Sequence, residues 1–288
     1  LQQTDTIKPT ESSMRLVFFR SLLVAILLAV TAAHAQTAQE RQWCESEDEV
    51  TVSQRIDGCS AVIKAGRDRS EKLAEAYSSR GLAYRRKGEY DRAIQDYSQA
   101  IKLDAKSATA YANRGVAYDN KGEYDRAIQD YDQAIKLKPS AEVYFNRGNA
   151  YLGKGQHGPA IDDYNQALKL KPDFAAVFDN RCWARAVVGV LRQALADCNE
   201  ALRLMPNNAT TLDSRGFVFL KLTQFDAAVS DYDAALRVNP KRPFALYGRG
   251  LARLKNADPS GEADIAEAKA LQADIAEEYA RYGVQGAR

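Results

Sequence analysis

The chain has 288 residues, of which 45% are hydrophobic and 27% charged, and its formal net charge is +2. So even a balance gives no reason to expect nucleic acid or an anionic membrane as the main partner. Two histidines, with no P-loop, GxSxG, HExxH or Rossmann glycine run, leave no recognisable catalytic, cofactor or metal constellation.

Residues 1–13 precede a credible initiator, Met14, and read as an upstream extension. Residues 14–35 carry the three parts of a Sec-type signal peptide. They are a basic start from Met14 to Arg20, an apolar stretch from Ser21 to Ala33, and the small-x-small site Ala33-His34-Ala35. The apolar run is too short for a membrane span. Cleavage is expected after Ala35, which makes the protein periplasmic or secreted, with no stable membrane insertion.

Residues 36–73 read as a degenerate helical hairpin. Cys44 lies 15 residues before Cys59, and Ile56, Cys59 and Ile63 share one helix face. A Cys44–Cys59 disulfide would close this hairpin. The alternative is a pair of buried free thiols, which suits an oxidising compartment less well.

From residue 74 the chain repeats. KGEYDRAIQDY runs from Lys87 to Tyr97 and again from Lys121 to Tyr131, an offset of 34 residues. Arg80-Gly81, Arg114-Gly115, Arg147-Gly148, Arg215-Gly216 and Arg249-Gly250 mark the same register, with Arg181-Cys182 filling the gap. With that Gly as position 8, position 20 is Ala93, Ala127, Ala160, Ala194 and Ala228. Position 24 is Tyr97, Tyr131, Tyr164, Cys198 and Tyr232, and position 27 is Ala100, Ala134, Ala167, Ala201 and Ala235. Positions 4, 8 and 11 share one face of a first helix, and 20, 24 and 27 one face of a second. A unit of this size cannot bury its own apolar face and must stack on copies of itself. Residues 74–242 hold five such units. Residues 243–288 hold a degenerate sixth unit and one more helix, Ala273 to Tyr282, expected to cap the stack with Glu277, Glu278 and Arg281 facing outward.

Two further pairings follow from the register. Positions 8 and 24 are Gly and Tyr in most units but Cys182 and Cys198 in the fourth, so the two positions are expected to touch and the cysteines to bond. Arg at position 7 and Asp at position 23 recur in every unit, ending with Asp264 after a one-residue shift, and are expected to form an ion-pair ladder. If both rows were merely solvated, each pair would contribute only ~0–1 kcal/mol.

The pattern of an aromatic residue, Gly, Tyr, Ala, Tyr and Pro at fixed positions resembles the tetratricopeptide repeat, from roughly Ala74 to Leu271. Arg at position 7 and Asp258-Pro259-Ser260-Gly261 in the sixth unit depart from it. The resemblance implies an all-α, helical-hairpin solenoid, wound as a right-handed superhelix of about six repeats between a degenerate hairpin and a capping helix. It also implies that positions 2, 5, 6, 9, 12 and 13 of the first helices line a concave groove. Carried over, these positions give a groove that is polar early and apolar late. Its expected contacts are Asn113, Phe145, Asn146, Asn149, Asn180, Trp183, Phe217 and Leu220. Asn can donate to and accept from a peptide backbone, and Trp is prominent at binding hot spots. Equally, the asparagines could satisfy neighbouring backbone and Trp183 could pack under the next unit.

The functional expectation is an exported scaffold or adaptor that binds a peptide or protein segment in this groove. The alternative is a structural role in envelope or secretion-apparatus assembly through edge contacts or self-association. An enzyme with an unfamiliar site is the remote third reading. His157 stands at position 17, where Tyr90, Tyr124 and Phe225 stand in other units, and reads as packing at the hairpin turn.

Overall fold

The computed structural model describes residues 38–46, 50–66 and 69–285. The signal-peptide expectation for residues 14–35 falls outside them. Among the described residues every regular element is a helix, and none is long and apolar enough to cross a membrane. The chain divides into two compact units at residues 110 and 111, and each is described by itself.

The first unit holds α1 (residues 38–45), α2 (Val52–Ala65), α3 (Ser70–Arg86) and α4 (Tyr90–Leu103). The Thr51 side chain accepts from the Gln54 amide while the Gln54 side chain accepts from the Thr51 amide, a reciprocal cap that starts α2. Cys44 and Cys59 tie α1 to α2, with their sulfurs 2.10 Å apart. Gly58 lets the two helices meet, since a Cβ there would lie 2.4 Å from the Glu40 carbonyl oxygen.

The helix α5 (Ala108–Asn120) is followed in the second unit by ten more helices. These are α6 (Tyr124–Leu137), α7 (Ala141–Gly153), α8 (His157–Leu170), α9 (Ala175–Val187), α10 (Leu191–Leu204), α11 (Ala209–Lys221), α12 (Phe225–Val238), α13 (Pro243–Lys255), α14 (Gly261–Leu271) and α15 (Ile275–Arg281). Ser140 and Asn208 cap α7 and α11 through their side chains. Pro243 begins α13, where its missing N–H leaves no helix bond unmade. The turns inside the hairpins need a left-handed residue. Gly155 supplies it at φ 70° in one hairpin, whereas Thr223 (φ 59°) and Ala257 (φ 57°) must adopt it in the last two.

The core follows the repeat. Ala127, Ala134, Ala160, Ala167, Ala228 and Ala235 are fully buried, as are Tyr131, Tyr164 and Tyr232. Each tyrosine ring lies against the position-8 glycine of its own hairpin. A Cβ on Gly148 would come within 2.6 Å of Tyr164 Cε1, and one on Gly115 within 2.8 Å of Tyr131 Cε1. In the fourth repeat Cys182 and Cys198 take these two places, with their sulfurs 1.95 Å apart. Among the described residues no cysteine is free.

The ion pairs also follow the repeat. Arg80–Asp96, Arg114–Asp130, Arg147–Asp163, Arg181–Asp197, Arg215–Asp231 and Arg249–Asp264 each make two parallel bonds of 2.6–2.9 Å. The aspartates are only 3–6% exposed, so these are not the weak surface pairs of the solvated alternative. The third nitrogen of the guanidinium often reaches the preceding repeat. Arg181 Nη1 donates to Asn165 at 2.7 Å, Arg215 to Asn199 at 2.8 Å and Arg249 to Asp233 at 2.7 Å, and Arg147 donates to Asp132. One arginine therefore fixes its own hairpin and joins it to its neighbour. The bonds to Asp163 raise the pKa of Arg147 and hold it charged.

Candidate interaction site

The first helices α7, α9, α11 and α13 carry the expected contact residues of the second unit. Phe145, Asn146 and Asn149 lie on α7, Asn180 and Trp183 on α9, and Phe217 and Leu220 on α11. Asn113 lies on α5. Asn113, Phe145, Asn146, Asn149, Asn180 and Trp183 are half-buried. Asn149 Oδ1 accepts from Asn180 Nδ2 at 2.7 Å and from the Tyr164 hydroxyl at 2.7 Å. This arrangement spends the Asn149 carbonyl on the protein itself and leaves its amide as the group available to a ligand. The Phe145 ring sits 5.1 Å from Phe174.

Phe217 and Leu220 depart from the expectation. Phe217 is fully buried and Leu220 is 6% exposed, so neither offers a surface to a ligand. The cause is α15. Its Tyr279 packs 5.7 Å from Phe217, 4.5 Å from Phe244 and 4.9 Å from Tyr247. Tyr282, just beyond α15, sits edge-on to Trp183 at 5.0 Å. The Tyr279 hydroxyl donates to the Phe244 carbonyl at 2.8 Å, and Lys221 Nζ donates to the Ala186 and Tyr282 carbonyls at 2.9 and 3.0 Å. Gly248 makes room, since a Cβ there would meet the Tyr232 and Tyr279 hydroxyls at 2.4 Å. The terminal helix thus lies over the late first helices and fills the apolar end of their face. Glu278 remains at its edge, while Ile275 and Tyr279 are fully buried.

Beside α15 the face opens into a cleft of about 260 Å³ whose lining includes Asp179, Asn180, Trp183, Asp213, Arg242 and Glu278. Its two buried acids are not among the contacts expected from the repeat register. Asp179 and Asp213 both stand at position 5, 34 residues apart, and that shared acid on an expected groove position was the available signal. Burial pushes both carboxyls up to about 6. Arg242 Nε donates to Asp213 Oδ2 at 2.6 Å. Elsewhere, His157 is half-buried near the α7–α8 turn, and burial lowers its pKa. Among the described residues no cluster of His, Cys, Asp and Glu is arranged to hold a metal.

Comparison with known families places this architecture. A TPR repeat model matches residues 81–122, and tetratricopeptide repeat models match 108–140, 141–174 and 215–278. Together these matches cover more than half of the chain. The chain belongs to the tetratricopeptide repeat family. Three solved TPR structures illustrate the likeness. YrrB, described as a TPR protein with an unusual peptide-binding site, is 20% identical, covers 68% of this chain and 100% of its own, and has a TM-score of 0.58. PilF of Pseudomonas aeruginosa is 20% identical over 75% of this chain and 97% of its own, with a TM-score of 0.60. A TPR protein from Parabacteroides merdae is 17% identical over 86% of this chain and 100% of its own, with a TM-score of 0.63. At these identities the likeness is one of fold. No curated protein sequence matches the chain. The TPR fold is a protein-interaction scaffold, and other proteins or peptides are its usual ligands.

Proposed function

We propose that this TPR protein is an exported scaffold that holds a peptide or protein segment on the first-helix face of its second unit. The observation that carries this reading is the surviving open part of that face. Asn113, Phe145, Asn146, Asn180 and Trp183 stay half-buried, presenting amides and aromatic rings along the face up to the edge of the terminal helix, where Trp183 meets Tyr282. Amides can pair with an extended backbone, and a half-buried Trp offers a desolvated apolar contact. Catalysis and cofactors play no part in this reading. Export rests on the sequence of residues 14–35 and on the two cysteine pairs at bonding distance, which suit an oxidising compartment.

The test is crosslinking and affinity capture of the tagged protein in an exporting host, beside an Asn180→Ala/Trp183→Ala variant. A protein captured by the parent and lost in the variant supports the groove. Equal capture by both moves the reading to assembly through edges. One feature favours that second reading: Leu137, Leu170 and Val238, at position 30 near the ends of α6, α8 and α12, are exposed, although Leu204 at the same position of α10 is half-buried. These apolar residues lie on second helices, not on the first helices that carry the proposed contacts.

A further inference from the structure

Asp179 on α9 and Asp213 on α11 are buried to 9% and 4% exposure. One carboxylate oxygen of each, Oδ1, has no hydrogen-bond partner. Buried polar atoms are almost always paired, and an orphan asks for an explanation. A single base serves both acids. Arg242 bonds Asp213 directly, and its charge also acts on Asp179. Glu278 of α15 adds a third carboxyl to the same cleft. Three acids against one arginine leave the cleft net negative, although nothing in the fold of α9 or α11 requires an acid at position 5. The corresponding residues in other repeats are Ser78, Ala112, Phe145 and Tyr247.

The same cleft also has an aromatic lining, and Trp183 stands one helical turn from Asp179 on α9. Trp183 and Phe244 both line the cleft and meet edge-on at 5.4 Å. Acids and aromatic rings around one cleft form the environment that favours a cationic head on an apolar stem. An acidic side chain would be repelled, and an apolar one would leave the excess negative charge of the cleft uncompensated.

We infer that this cleft receives a lysine or arginine side chain of the segment held on the first-helix face. The inference rests on the groove reading and adds the chemistry of one contact. The incoming cation is held by the negative charge of Asp179, Asp213 and Glu278, its stem lies along Trp183, and Asn180 beside it keeps the partner's backbone in register. Segments lacking a basic residue at that point lose this contact and bind more weakly.

The experiment is selection of a displayed library of random dodecapeptides on the purified protein. Affinities of the selected peptides are then measured for the parent, for Asp179→Asn and for Asp213→Asn. The expected result is enrichment of peptides with a Lys or Arg, and replacement of that residue by norleucine weakens binding roughly tenfold or more. Asp179→Asn should weaken the parent peptide by a similar factor while leaving the norleucine peptide unaffected. Asp213→Asn also releases Arg242, so Asp179→Asn, whose acid has no direct arginine bond, carries the test. Circular dichroism confirms that both variants are folded. Selected peptides without a basic residue, or with affinity indifferent to Asp179→Asn, overturn the inference and leave the groove reading standing. Selection of no peptide at all overturns both.

Discussion

Cys182 and Cys198 occupy the two positions at which four other repeats press a glycine against a tyrosine ring. In those repeats the glycine Cβ position lies 2.6–2.9 Å from the ring, too close for any side chain. The fourth repeat exchanges a small–large pair for two medium residues at bonding distance. Reduction should therefore lower stability by about 3 kcal/mol, the chain-entropy contribution of a loop of this size. Melting with and without reductant measures it. Cys198→Tyr alone should be more damaging than reduction, because the ring meets the Cys182 side chain. Cys182→Gly/Cys198→Tyr should recover to within ~1–2 kcal/mol of the reduced parent.

The Arg147–Asp163 pair is buried and bidentate, so breaking it leaves a charge without a partner. Asp163→Ala should destabilise by about 3–5 kcal/mol. A double-mutant cycle with Arg147→Ala, followed by urea denaturation, should show coupling of ~2 kcal/mol. Additive losses would mean that the two side chains do not cooperate.

The buried acids predict an unusual pH dependence. The carboxyl of Asp179 is raised from 3.8 to about 6, so the folded state binds its proton more tightly than the unfolded chain does. Its contribution to stability is fully present below pH 3.8 and is lost as the pH rises through about 6. The difference is on the order of 3 kcal/mol at most. Asp179→Asn should therefore stabilise the protein by ~1–3 kcal/mol at pH 7.5, with the gain fading to nothing near pH 4. Denaturation across that range reads it directly, and a gain independent of pH would assign the effect to something other than charge.

Thr223 and Ala257 hold left-handed turns that earlier hairpins give to glycine. Left-handed backbone costs an L-residue about 1–2 kcal/mol, partly offset by the greater freedom of glycine in the unfolded chain. Ala257→Gly should raise stability by a few tenths to ~1 kcal/mol in thermal melts.

Most of the fold was legible because it is local and periodic. Gly148 against Tyr164, Arg147 against Asp163 and Cys182 against Cys198 all lie 16 residues apart within one hairpin, and the register alone brings them together. The early hairpin showed itself through the spacing of Cys44 and Cys59. What the register could not show is coverage. It correctly puts Phe217 and Leu220 on α11, but not what lies over them. The docking of Ile275, Tyr279 and Tyr282 is set by the shape of the late first helices and by Gly248, and no repeat spacing announces it. The terminal helix expected over Ala273 to Tyr282 is present as α15, with Glu277 and Arg281 exposed, and its apolar side also takes up the apolar end of the proposed binding face. The same coverage helps bury Asp213, whose altered chemistry depends on neighbours distant in sequence.

The central claim is that partners meet the first-helix face of the second unit. Photocrosslinking amino acids placed singly at Asn146, Asn180 and Trp183, with exposed Lys169 on α8 as the outer control, test it in the exporting host. The account predicts adducts to a polypeptide from the three first-helix positions and none from Lys169. Adducts from Lys169 equal to those from Asn180, or from Lys169 alone, would contradict it.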